Sequence, residues 1–188
     1  GKVTRDEIAM AEQVMSQMRL SEQQRVVAKN LFNEGKKANF PVHEVLAQFK
    51  RECFRRRNLI QMFLEIVTVT AFADGKMDDA ERIILEGIAK DLGYTPAQFK
   101  ALLSRLSGQA HFMHDESSAD KLKAAYGLLG IKKSASDAEL KKAYRKQMNQ
   151  HHPDKLVAKG LPEEMIDIAT EKTQEIKAAY EMIKSTRK

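Results

Sequence analysis

Apolar residues recur at spacings of three and four along most of this chain, and alternating β-branched runs are almost absent, which predicts helices throughout. Towards the C-terminus, Leu140, Ala143, Tyr144, Gln147 and Met148 make one stripe. Met165, Ile168, Ala169, Ile176, Ala179, Tyr180 and Ile183 make a second. Two such stripes predict long helices packed antiparallel over a shared core. The longest apolar run, Asn58 to Ala73, is broken by Gln61 and Glu65 and falls short of the roughly 20 residues that span a bilayer. It predicts a buried core helix.

Helix starts are marked by Ser, Thr or Asp with Glu or Gln three residues on, a spacing that closes a reciprocal capping box on the first-turn amides. Thr4 with Glu7, Ser21 with Gln24, Asp78 with Glu81, Thr95 with Gln98 and Ser136 with Glu139 all fit, and Pro41 and Pro96 suit the first helical position. These signals predict helices near 4–18, 21–35, 41–54, 58–73, 78–92 and 95–107. Residues 108–118, "GQAHFMHDESS", gather Gly, Ser and acidic residues and predict a linker. Beyond it, helices are predicted near 119–129, 136–151 and 162–184. The fold class is all-α, with a six-helix N-terminal domain over 1–107, a linker over 108–118 and a C-terminal domain over 119–188.

Only 4 Pro and 9 Gly among 188 residues leave few helix breakers, in keeping with that pattern. Cys53 is the single cysteine, so no intrachain disulfide can form, and a reducing compartment is implied. The net charge of +6 is uneven: residues 119–188 carry 15 Lys and Arg against 10 Asp and Glu, whereas 1–118 carry 17 against 16. The C-terminal third should therefore favour an acidic partner, be it nucleic acid, anionic lipid or an acidic protein face.

Several chemistries find little support. No Gly-rich phosphate loop is present to hold ATP. Cys53 lies in "KRECFRRR", outside any nucleophile frame; the flanking arginines would activate a thiol, but a small core residue at a helix end is the simpler reading. His151 and His152 are adjacent, so on a helix their side chains point about 100° apart and cannot easily share an ion. His111 and His114 stand beside Asp115 and Glu116 in the predicted linker, a setting for adventitious metal only. "DGKMDDAE" from Asp74 lacks the alternating ligands of a calcium loop and reads as a helix cap at Asp78. Neither metal nor cofactor is expected.

The informative stretch is "NQHHPDKLVAKG" from Asn149. Pro153 lacks an amide hydrogen and biases His152 away from helical geometry, so the preceding helix stops and the chain stiffens. His152 offers a ring donor and acceptor, and Asp154 a carboxylate. On the preceding helix Lys141, Lys142, Arg145 and Lys146 fall opposite the apolar stripe at i,i+4 spacing. Like charges at that spacing repel slightly, so helix stability does not call for them; steering toward an acidic surface does.

"AYGLLGI" from Ala125, "DAELKKAYRKQMNQHHPDK" from Asp137 and "QEIKAAYEMI" from Gln174 resemble the J domain of DnaJ-type co-chaperones. "FLEIVTVTAFADGKMDDAE" from Phe63 resembles a tellurite-resistance-type (TerB-like) helical domain. The long loop in "HHPDKLVAKGLPEEM" is similar to that of a membrane-anchored branch of DnaJ-like proteins. The resemblance implies a co-chaperone that binds the ATPase domain of a DnaK-type chaperone and stimulates it, with no catalysis of its own. His152, Pro153, Asp154 and Lys155, with Lys141, Lys142, Arg145 and Lys146, are the implied contact residues. It also implies an inner-membrane anchor ahead of Gly1, a single pass with both domains facing the cytoplasm, and a homodimer formed through that anchor. His151 stands where many J domains have Tyr and is expected to pack at the end of the apolar stripe. The alternative, a basic helical nucleic-acid-binding protein, fits the pI of about 9.3 but is not the expectation. A steep loss of binding with salt and no effect on a chaperone's ATPase would mark it.

Overall fold

Four reciprocal capping boxes, at Ser21, Asp78, Thr95 and Ser136, start helices where the sequence places them. The computed structural model describes residues 5–37, 39–72, 77–114 and 118–187. The Thr4 cap and the Asp74 turn lie outside these residues. The described residues form α1 (Arg5–Gln17), α2 (Glu22–Gly35), α3 (Val42–Glu52), α4 (Arg57–Thr70), α5 (Asp79–Asp91), α6 (Pro96–His114), α7 (Ser118–Leu129), α8 (Asp137–His151), α9 (Pro153–Val157) and α10 (Ile166–Thr186). A 3-10 turn at Glu163–Met165 leads into α10. Among the described residues no helix is long and apolar enough to cross a membrane.

Helices α3 to α6 close over one core, built on Leu64, Leu85, Ala89, Leu92, Phe99, Leu102 and Leu106. Cys53 is buried in it at the end of α3, where burial raises its thiol pKa against the opposing pull of Arg56. A second core joins α7, α8 and α10 through Ala125, Leu128, Leu140, Ile176, Ala179 and Ile183. Tyr144 and Tyr180 stack across α8 and α10 with ring centroids 4.3 Å apart, so the two stripes meet as their periodicity predicts.

The stretch expected to be a linker is largely helix. α6 continues unbroken to His114, and Phe112 is buried in the second core. Gly108, read as a breaker, is a contact surface: a Cβ there would stand 2.7 Å from the Gly127 backbone, so the glycine lets α6 and α7 approach closely. A glycine within a helix costs only about 1 kcal/mol relative to alanine, and no proline follows to end α6. The His111, Asp115 and Glu116 side chains lie outside the described residues.

The two cores are bridged by a third. Met62 of α4, with Leu59 and Ile66, packs against Leu156, Leu161 and Ala169. At the edge of this seam Arg19 donates two hydrogen bonds to Asp167, at 2.7 and 2.8 Å, and Gln24 donates to Glu164 at 2.7 Å.

Candidate partner-binding site

Helix α8 begins on the Ser136 box with Asp137 and Glu139 in its first turn, where carboxylates favour the helix dipole. It buries Leu140, Gln147 and His151 and leaves Lys141, Lys142, Arg145 and Lys146 exposed. His152 is the single extended residue between α8 and α9, at φ −60° and ψ 126°. Its amide donates to the Met148 carbonyl at 2.9 Å, closing α8, and its carbonyl accepts from the Leu156 amide at 3.0 Å, opening α9.

The stiff loop expected after Pro153 is a short helix instead. Pro153 occupies the first turn of α9, where its missing amide hydrogen costs nothing, and Asp154 favours the positive end of that turn. Asp154 is exposed, and its carboxylate lies 3.9 Å from His152 Nδ1, beyond hydrogen-bond reach. Lys155 Nζ donates to Asn149 Oδ1, tying α9 back to α8. His152 and Asp154 thus stand at the corner between two helices, beside the cationic side of α8.

Behind that corner is a buried charge cluster that sequence reasoning missed. Glu65 of α4, 5% exposed, accepts hydrogen bonds from His151 Nε2 at 3.0 and 3.2 Å, from Gln61 Nε2 at 2.9 Å and from Arg105 Nη2. Lys172 Nζ of α10 lies 3.8 Å away. His151 Nδ1 lies 3.0 Å from the Gln147 carbonyl, so both ring nitrogens face an acceptor. Burial alone would raise the Glu65 pKa; the attraction of His151, Lys172 and Arg105 outweighs it and holds the carboxyl well below the usual carboxylate range. Burial lowers the Lys172 pKa, and burial raises that of the neighbouring Glu175.

His151 is therefore more than packing at the end of a stripe. Its residue type carries the signal, because a histidine facing a core needs a partner, but nothing in the sequence names that partner as Glu65. The one available hint is a carboxylate interrupting the apolar run of α4. Helix α9 is held from the same side: Leu156, 3% exposed, inserts between Met62, Leu161 and Ala169.

Comparison with known proteins adds an independent line. A family model described as the DnaJ domain matches residues 124–188, and one described as tellurite resistance protein TerB matches residues 1–104. A curated Shewanella oneidensis protein named co-chaperone protein DjlA is 47% identical over the whole of this chain and 72% of its own length. Proteins of the same name from Photobacterium profundum and Escherichia coli are 42% and 43% identical. Each alignment covers 98% of this chain, with 71% and 72% of the respective relative. No solved structure gives a significant match.

Proposed function

The chain belongs to the DjlA family of co-chaperones, a TerB domain followed by a DnaJ domain, and from that premise we propose that it binds the ATPase domain of a DnaK-type chaperone and stimulates its ATP hydrolysis. One observation supports this reading above the others: His152 and Asp154 stand at the α8–α9 corner, not hydrogen-bonded to each other, next to four exposed cations of α8.

Each part has a physical role in the proposal. Lys141, Lys142, Arg145 and Lys146 draw an acidic surface toward α8 and set its orientation, which acts mainly on the association rate. Pro153 and the hydrogen bonds flanking His152 fix the corner beforehand, so little conformational freedom is lost on docking. His152 then offers its Nε2 and Asp154 its carboxylate to polar groups of the chaperone, while Lys155 holds the corner against α8. The chain activates a partner's catalysis and performs none.

The membrane-anchored branch that the sequence resembles extends the proposal to the inner membrane. Both domains would face the cytoplasm, and the anchor would join two copies. Nucleic-acid binding is not favoured, since the matched DnaJ domain and every curated relative described above point to a co-chaperone.

Single-turnover ATP hydrolysis by a DnaK-type chaperone, with and without this chain, tests the reading. The unaltered chain should accelerate hydrolysis and His152→Gln should not. No acceleration by the former, or equal acceleration by both, overturns it.

A further inference from the structure

Three consecutive arginines, Arg55 to Arg57, connect α3 to α4 on the N-terminal domain, and the geometry sets them against the J domain. The Arg56 guanidinium covers Gly160, where a Cβ would stand 3.0 Å from its Cζ and where φ is +86°, so both space and backbone favour glycine. Arg55 and Arg57 flank Arg56 in the sequence. Together with Lys142, Arg145, Lys146 and Lys159 they line one concave surface whose other lining side chains are all amides. Six cations share this groove with no carboxylate, and none of the six forms an ion pair with a described residue.

Fold stability does not account for them. Arg57 is the first residue of α4, where a cation opposes the helix dipole, and Arg56 occupies the N-cap without making a side-chain cap. Six like charges around one concavity repel, and their fields add within it. The groove is continuous with α8, whose cations flank the His152 corner.

We propose that the N-terminal domain forms part of the chaperone-binding surface. Arg55 and Arg57 extend the cationic side of α8 into a two-domain groove that receives an acidic face of the same DnaK-type partner. This rests on the co-chaperone reading and goes beyond it, because it gives the TerB domain a direct contact with the partner. The charge balance selects the occupant: a surface rich in carboxylates supplies what the groove lacks, and docking at the His152 corner brings that surface alongside.

The test compares the intact chain with Arg55→Glu/Arg57→Glu and with Lys90→Glu/Lys100→Glu, which changes net charge equally at exposed positions outside the groove. Association with the ATP-bound chaperone is followed at low and high salt, and single-turnover hydrolysis is measured at saturating chain. Circular dichroism confirms equal helicity. The arginine pair should slow low-salt association about tenfold, the scale of electrostatic steering, and flatten its salt dependence. The acceleration reached at saturation should persist, because His152 is untouched. The lysine pair should differ little from the unaltered chain. Equal association by both double variants, alongside normal stimulation by the unaltered chain, overturns this inference alone. No stimulation by the unaltered chain overturns it together with the co-chaperone reading. Loss of binding to a duplex DNA oligonucleotide in the arginine pair, with chaperone association unchanged, also overturns it and assigns the groove to nucleic acid.

Discussion

Glu65 Oε2 on α4 and His151 Nε2 on α8 lie 3.0 Å apart, both side chains buried, joining the two domains at the residue immediately before His152. A buried carboxylate at that seam is sustained only by its partners, here His151, Arg105 and Lys172. Since Arg105 comes from α6 and Lys172 from α10, one carboxylate fixes three helices relative to α4. The orientation of the His152 corner is thereby tied to the N-terminal core.

Replacing that carboxylate by an amide should be costly. Glu65→Gln leaves buried cations without their counter-charge, a change that typically destabilises by about 3–5 kcal/mol. Urea denaturation of the intact chain checks it. A loss under about 1 kcal/mol would mean that the cluster draws little stability from the carboxylate.

The same group predicts the acid limb of stability. The Glu65 pKa is depressed in the fold relative to an ordinary value of 4.5, so its contribution is complete above about 4.5 and is lost as pH falls below it. Glu175 acts in the opposite sense: burial raises its pKa, so protonating it on the way down relieves a cost. Unfolding free energy should thus hold or rise slightly as pH drops toward about 4.5 and decline below that. Glu65→Gln should decline less steeply than the unaltered chain between about pH 4.5 and pH 3. Parallel curves for the two proteins would exclude Glu65 as a source of the acid limb.

The pattern of residues made most helices legible, because caps such as Ser21–Gln24 and stripes such as Leu140–Tyr144 are local signals. Gly108 misled for a complementary reason. A glycine reads as a breaker until the helix facing it is known, and here Gly127 makes it a contact. The exposed half of the candidate site, Lys141 to Asp154, was readable because its spacing and its proline act along the chain. Its buried half was not: Glu65 and His151 are separated by 86 positions, and no local rule pairs them. Arg55 and Arg57 were visible as charge, but their place beside Lys142 and Arg145 is a property of the packed domains.

Two glycines allow a paired test of the α6–α7 contact. Gly108→Ala gains about 1 kcal/mol of helix propensity, yet its Cβ meets the Gly127 backbone, and overpacking of that kind costs about 1–3 kcal/mol. At Gly87 in α5 a Cβ would have nothing within 4 Å, so Gly87→Ala should keep the full gain of about 1 kcal/mol. The urea midpoint should fall for the first and rise for the second. A rise for both would show that α6 and α7 do not approach as closely as described.

Anchoring of the corner can be separated from its chemistry at Leu156. This side chain is buried in the core shared by Met62, Leu161 and Ala169, whereas Asp154 is exposed. Truncating a leucine buried to this degree costs about 2–5 kcal/mol, according to how far the site can collapse. Because α9 is only five residues long, it has too few internal hydrogen bonds to persist without that anchor. Leu156→Ala should therefore loosen α9 before it unfolds either domain. Hydrogen exchange would show faster exchange at the Leu156 and Ala158 amides, while the amides of α4 and α10 stay protected. Stimulation of the chaperone should weaken, since a mobile corner must be ordered on docking. Leu156→Met keeps the volume and should restore both protection and stimulation. Full stimulation by Leu156→Ala, with exchange at α9 accelerated, would show that the corner needs no support from the N-terminal core.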